Sequence, residues 1–350
     1  MPHTPKWTPR VLQFPRDLGS HPDTAIEWWY VTGQLNAGAA VFGFQLTFFR
    51  SRVASTQTMT SAFAAKQLVF AHAAVTDVTA QQLWHDQRIA RSTGDISSAV
   101  DLAHTRETDT DIQLGDWTLV RDRSVYQAQA SAADFAFDLR LRESQPLLLQ
   151  GDQGWSRKGP APHQASFYYS LPQLQANGTL RLAGRTLQVQ GTAWLDHEWS
   201  QSLMPPDAVG WDWLGMNLTD GSALTAYQMR SQQGAAVWAG GSMRAAGQVA
   251  AEVLAAPDVV FTPGRLWKSP HSGSVYPVEW ELQITRRPLG APAVTERYQV
   301  KAMVDNQELD SRQSTGAVYW EGLSQLLDAH GRVLGQGYLE MTGYAGALRL

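Results

Sequence analysis

The sequence predicts an all-β protein made of two consecutive antiparallel barrel-like units with little helix. Two observations carry this reading. Short alternating strands separated by turn residues recur along the chain, and both ends of a strand-rich unit occur twice. At 350 residues the chain is long for one compact domain and comfortable for two.

The elements follow in order. Val41–Phe48 alternates strictly, so Phe42, Phe44, Leu46 and Phe48 share one face. The turn residues Asn36-Ala37-Gly38 precede it, which makes Trp28–Leu35 and Val41–Arg50 a hairpin. Similar strands are expected at Trp117–Val120, Phe135–Arg142, Thr179–Leu182 with Leu187–Trp194, and Val278–Thr285. Asn177-Gly178, Ala183-Gly184 and Thr219-Asp220-Gly221 supply turns between them. Two stretches resist the pattern. Gln82–Ala90 admits a short helix, and Ala245–Pro257 reads either as helix or as a hairpin about Ala246-Gly247.

The duplication is visible at both ends of the unit. The hairpin from Glu27-Trp28-Trp29-Tyr30 to Phe49-Arg50 is echoed by Gly210-Trp211-Asp212-Trp213 to Met229-Arg230. The strand ending Gly191-Thr192-Ala193-Trp194-Leu195-Asp196 is echoed by Gly335-Gln336-Gly337-Tyr338-Leu339-Glu340. After the shared acid, the first copy continues His197-Glu198-Trp199 where the second has Met341-Thr342-Gly343. A framework repeated for folding but loaded with ionisable groups once marks the first copy as the place to look for function. Between the units, Ser200–Pro206 reads as a linker, because Pro205-Pro206 cannot sit inside a ladder. Domains are therefore expected at 1–203 and 204–350.

Composition narrows the function classes. A net charge of −4 without a Lys/Arg run excludes a nucleic-acid footprint. No cysteine is present, which excludes disulfides, thiol nucleophiles and cysteine-held zinc. No apolar run approaches the roughly 18 residues of a membrane span. Met1–Arg10 lacks an apolar leader, so the chain is expected to be either periplasmic or secreted with its signal removed, or cytoplasmic. Fourteen tryptophans suit thick barrels or sites for flat or elongated apolar ligands. No metal-ligand spacing, nucleophile elbow, phosphate loop or dinucleotide fingerprint occurs, which leaves cofactor-free acid–base work or binding alone.

Strand alternation splits the first ending into two faces, with Trp194, Asp196 and Glu198 on one and Leu195, His197 and Trp199 on the other. A histidine between Leu195 and Trp199 is either a satisfied core residue or a proton carrier in an apolar chamber, and burial favours its neutral form. Asp212 shares its face with Leu214, Met216 and Leu218, so it is either a general acid of raised pKa or a carboxylate capping amides or pairing with an arginine. Tyr227 either donates to a ligand oxygen or fills core. Arg50 and Arg230 suit closure of a barrel end by stacking over a tryptophan, with Glu27 a partner for one of them.

With these residues in place, the chain resembles the carotenoid hydratases (hydroxyneurosporene synthases) and the AttH-like "predicted secreted hydrolases". The resemblance rests on Glu27-Trp28-Trp29-Tyr30, Ser156-Arg157-Lys158-Gly159, Ser166-Phe167-Tyr168-Tyr169-Ser170, Asp196-His197-Glu198-Trp199 and Gly210-Trp211-Asp212-Trp213. It continues through Trp267-Lys268-Ser269-Pro270, Tyr319-Trp320-Glu321-Gly322 and Gly337-Tyr338-Leu339-Glu340. It implies two lipocalin-like (calycin) barrels with an apolar pocket in or between them, and cofactor-free addition of water to an alkene. It also implies essential roles for His197 and Trp199. The tyrosine of the family's Tyr-x-Asp pair matches Tyr227, but Met229 stands where the aspartate would be. Asp212 is then the candidate substitute, on condition that it faces the same chamber as His197.

The expected function is therefore cofactor-independent acid–base chemistry on a bulky isoprenoid, polyene or lipid-like molecule. His197, Asp212 and Glu198 are the catalytic candidates, and Trp199, Trp213, Tyr227, Trp211 and Tyr30 the ligand-binding ones. The alternatives are a carrier that binds such a ligand unchanged, as an accessory to lipid export, or ester or lactone hydrolysis by a His–Glu pair. A hydrophobic small molecule is the expected partner, with no metal, and a monomer is compatible with the sequence.

Overall fold

Alternating apolar strands with few helix formers should close on themselves, since a closed sheet buries one face and removes its edges. The computed structural model, which describes residues 7–61, 64–95, 101–287 and 292–348, shows two such antiparallel sheets. Residues 1–6 of the stretch read for a leader lie outside the described residues. Helix among the described residues is limited to 3-10 turns at Arg16–Leu18, Ala54–Thr56 and Ala256–Asp258. None of it is long and apolar enough to cross a membrane.

The two sheets share one plan. In the 13-stranded first sheet, Gln82–Ser92, Gln67–Asp77, Ala40–Arg52 and Ile26–Ala37 lie side by side. Next come Arg185–Ser202, Ala165–Leu182 and Phe135–Arg142, followed by short strands to Ala103–Thr105. Its two ends meet, so the sheet is a nearly closed, lipocalin-like barrel. In the 10-stranded second sheet, Ala236–Arg244, Ala223–Arg230 and Gly210–Leu218 precede Val333–Met341, Ala317–Asp328, Val294–Ala302 and Glu279–Arg286. In both, the first long strand pairs with the last. The first sheet ends at Ser202 and the second begins at Gly210.

Each barrel buries the inner face of its strands. Phe42, Phe44, Leu46 and Phe48 are all in the first core, and Leu214, Met216 and Leu218 are in the second. The repeated glycine of the strand ending has a physical reason. A Cβ at Gly191 or Gly335 would overlap the carbonyl oxygen of Gln34 or Asn217 on the paired strand. Gln82–Ala90 belongs to an edge strand rather than a helix. Most of its residues are exposed or half-buried, with charged and polar side chains such as His85, Asp86, Arg88 and Arg91 along it, and charge on an edge keeps it from pairing with other chains. Ala245–Pro257 resolves as a hairpin, with Glu252–Leu254 pairing back onto Gly241–Met243.

One end of the first barrel is held by charge rather than apolar packing. Glu27 and Arg50 have no solvent exposure and meet at 2.8 Å. Arg50 also donates to Gln67 at 2.8 Å and to the carbonyls of His21 and Thr24 at 2.8 and 3.0 Å. Burial alone would raise the Glu27 carboxyl, but Arg50, His21 and His197 together hold it well below the usual range. Arg50→Met would leave that carboxylate buried without its cation. We expect it to cost about 3–5 kcal/mol in urea unfolding; a loss under about 1 kcal/mol would show that Glu27 needs no counter-ion.

Candidate functional site

Because each barrel faces its core with alternate residues, the others point outward, and where the barrels touch they form a third buried cluster. Tyr30, Trp194, Trp213, Tyr227, Leu323 and Tyr338 belong to it. Within this seam lies a cavity of about 70 Å³. The candidate site is therefore this chamber between the barrels.

The duplicated framework supplies both walls. Tyr30 pairs with Asp196 across the first sheet, and Trp213 pairs with Glu340 across the second, at the same point of the repeat. Trp28 has its counterpart in Trp211. Thr47 and Phe49 have theirs in Tyr227 and Met229, and Tyr168 in Tyr319. All ten line the cavity, as do Asp196 and Glu340. The acid that the two strand endings have in common, rather than the residues by which they differ, is what both barrels present to the chamber.

Asp196 is buried among donors. Ser170 Oγ and Trp194 Nε1 donate to its Oδ1 at 2.5 and 2.7 Å, and Tyr168 Oη donates to Oδ2 at 2.9 Å. Tyr168 Oη in turn accepts from Trp213 Nε1 at 3.1 Å, which ties the two barrels together. Burial pushes Asp196 up to about 7, over the lowering pull of Ser170, Trp194 and Tyr168. Oδ1 takes two of these donors and Oδ2 one, which leaves Oδ2 the less engaged oxygen. Burial, with Asp196 and Glu198 adding to it, likewise holds the Tyr168 phenol well above its usual range.

On the opposite wall, Glu321 and Glu340 are directly opposed cross-strand neighbours. Burial raises both, and their mutual repulsion raises Glu321 further. No cation pairs with either among the described residues. Tyr30 Oη and Glu321 Oε1 are buried, and they lean toward each other without closing a hydrogen bond. Only Glu198 has a counter-ion in the chamber. Lys158 Nζ lies 3.0 Å from it, above the faces of Tyr168 and Tyr227 at 4.7 and 4.3 Å, and Ser166 donates to the same carboxylate.

The candidates from sequence divide cleanly. Glu198, Trp213, Tyr227, Trp211 and Tyr30 line the chamber. His197, Trp199 and Asp212 do not. His197 and Trp199 point into the first barrel, one residue out of phase with Asp196 and Glu198. His197 has no solvent exposure; its Nε2 lies 2.8 Å from Glu27 and its Nδ1 3.0 Å from Tyr169 Oη, with Trp29 stacked at 4.5 Å. Burial lowers it to about 4, so near neutrality the ring is uncharged, with Nε2–H donating to the carboxylate. His197 and Glu198 face opposite sides of one strand and cannot act on one water.

Asp212 sits at the end of the second barrel, where it accepts from Gln228 at 2.8 Å, Tyr344 at 2.9 Å and Arg230 at 3.3 Å. Arg230 stacks on the Tyr344 ring at 3.8 Å. The condition that Asp212 share a chamber with His197 is not met.

His21, Glu27 and His197 bring their donor atoms within 4.8 Å of one another, the only such trio among the described residues. Arg50 already neutralises Glu27 there, and each histidine is closed onto the carboxylate at 2.7 or 2.8 Å. The set suits proton sharing better than a cation. Sequence reasoning missed Asp196, Tyr168, Lys158, Glu321 and Glu340 as site residues. The signal for Asp196 and Glu340 was present, since they are the acid that recurs in the repeat.

The AttH-like family profile matches residues 5–344. An AttH protein from Nitrosomonas europaea is 42% identical over 97% of this chain and 98% of its own, with a TM-score of 0.85. Kievitone hydratase from Nectria haematococca superposes with a TM-score of 0.71 at 15% identity, over 96% of this chain and 94% of its own. CghA superposes at 0.56 with 12% identity, over 98% and 96%. These two share the fold. No curated protein matches the chain at a significant level.

The raised Asp196 carboxyl makes stability fall with pH. Between about 4 and about 7 the folded state keeps a proton that the unfolded chain releases, so unfolding becomes easier through that window and levels off above it. The cost above the window is roughly 4 kcal/mol. Asn at this position mimics the protonated acid. Urea unfolding across that range should show a shallower pH slope for Asp196→Asn than for the wild type; superimposable slopes would contradict the assignment.

Proposed function

The chain belongs to the AttH-like family, and on that premise we propose that it is an enzyme of hydratase type, adding water to an alkene of a largely apolar small molecule without a cofactor. The observation that carries the reading is Asp196. It is a carboxyl that burial pushes up to about 7, without a cation, facing an aromatic chamber between the barrels. A kievitone hydratase and CghA, the latter also solved with Sch210972, share the fold that creates this seam.

In this reading Asp196 Oδ2 gives its proton to one alkene carbon, the π pair forming the new C–H bond. The adjacent carbon becomes cationic beside the faces of Trp211 and Trp213, whose ring quadrupoles attract positive charge. Water then forms the C–O bond, and its proton passes to a neighbouring water, because Glu321 and Glu340, both raised by burial, already hold protons. Return of that proton to Asp196 through solvent leaves a net addition of one water. A positioned general acid supplies about 10²–10⁴-fold, so exclusion of bulk water and alignment must supply the rest. His197 supports this from the other side of the strand, as framework.

Incubation with acyclic isoprenoids, polyenes and lipid esters, read by mass spectrometry, tests the proposal. We expect a product heavier by one water from the wild type and at least a hundredfold lower turnover in Asp196→Asn, with ligand affinity kept within a few-fold. His197→Ala should instead lower stability and activity together. Cleavage products would indicate a hydrolase. Ligand retained unchanged by both wild type and Asp196→Asn would make the protein a carrier.

A further inference from the structure

The chamber is too small for the molecules its chemistry suits. About 70 Å³ holds a few waters, whereas an isoprenoid or polyene must place most of its length elsewhere. A second cavity of about 230 Å³ adjoins it. Ile26, Phe49, Trp211, Tyr319 and Glu340 line both, so the two spaces are neighbours with Glu340 between them.

The outer part is apolar and open. Phe49 stacks on Phe70 at 4.8 Å, and Leu68, Ile89 and Val318 complete the walls. Ile89 is 47% exposed, so this surface is apolar where water reaches it. His72, at its side, is buried and engaged by Tyr319 Oη at 2.6 Å and Ser314 Oγ at 2.9 Å. Burial lowers it to about 3, which keeps the wall uncharged at neutral pH. A larger groove of about 770 Å³ around Trp155 and Trp238 shares only Tyr227 with the chamber, and it has Arg157 and His163 on its walls.

We infer that the groove between Phe49, Phe70, Ile89 and Val318 binds an uncharged hydrocarbon arm of the molecule whose reactive end lies in the chamber. The inference rests on reading the chamber as the reacting site, and it names the substrate class as an elongated molecule with a flexible apolar arm. Recognition there is by burial of methyl and methylene groups, so affinity rises with arm length.

Binding, rather than turnover, tests this independently of the chemistry. Tryptophan-fluorescence titration with the short isoprenoid alcohol geraniol and the longer geranylgeraniol should show the longer one binding at least tenfold more tightly to the wild type. Val318→Trp fills the groove, and Ile89→Lys places a charge at its exposed rim where folding is little affected. Either should weaken geranylgeraniol at least tenfold and change geraniol less than about twofold. Equal affinities for the two alcohols, or equal losses for both in the variants, would overturn the assignment. So would weakening by Trp238→Ala without weakening by Val318→Trp, which would place the arm in the larger groove. If Asp196→Asn keeps full turnover while this length dependence holds, the hydratase reading fails and the groove stands.

Discussion

Three carboxyl groups buried at a seam without a cation govern this molecule's chemistry. Moving an ionised carboxylate out of water is so costly that the group either finds a positive partner or keeps its proton. Both solutions occur here. Glu27 and Asp212, at corresponding barrel ends, meet Arg50 and Arg230; Glu27 is held well below its usual range, while burial outweighs Arg230 and leaves Asp212 raised. Asp196, Glu321 and Glu340, in the seam, have only neutral donors or each other and are raised. The ion pairs close the barrel ends, and the seam acids hold their protons to higher pH than ordinary carboxylates. A site able to protonate a weak base is a consequence of leaving these acids unpaired.

The duplication explains how such a site arises at a boundary. Each barrel presents an aromatic residue and an acid, Tyr30 with Asp196 and Trp213 with Glu340, on the face it does not need for its own core. Packing two such faces together encloses both acids in one space. The symmetry is broken by Glu198 and Lys158, since Thr342 occupies the position equivalent to Glu198. That ion pair gives one end of the chamber a fixed polarity, and the open apolar groove adjoins the other barrel's acid, Glu340. On the proposed function, this asymmetry orients the substrate as well as enclosing it.

Much of the fold is legible in sequence because strand alternation is a local signal. Phe42 to Phe48 and Leu214 to Leu218 are buried as their period requires, and the two faces around His197 separate as alternation dictates. The edge strand at Gln82–Ser92 hid because its charged and polar residues carry no periodic apolar face. The site was harder to read. Attention to what differs between the repeats selected His197, whereas the chamber uses what they share. Tyr168, Lys158 and Glu321 come from strands and a loop distant in sequence, and only the packing of one barrel on the other brings them together. No local pattern encodes that packing.

The proton on Asp196 is the most direct test of this account. Difference infrared spectroscopy of the wild type against Asp196→Asn would read the carbonyl stretch of a protonated carboxylic acid. The account predicts a band present below neutral pH that fades with a midpoint near 7 and is missing from the variant. Absence of that band in the wild type at pH about 5–6, with only carboxylate stretches present, would show Asp196 ionised near its ordinary value and would contradict the central claim.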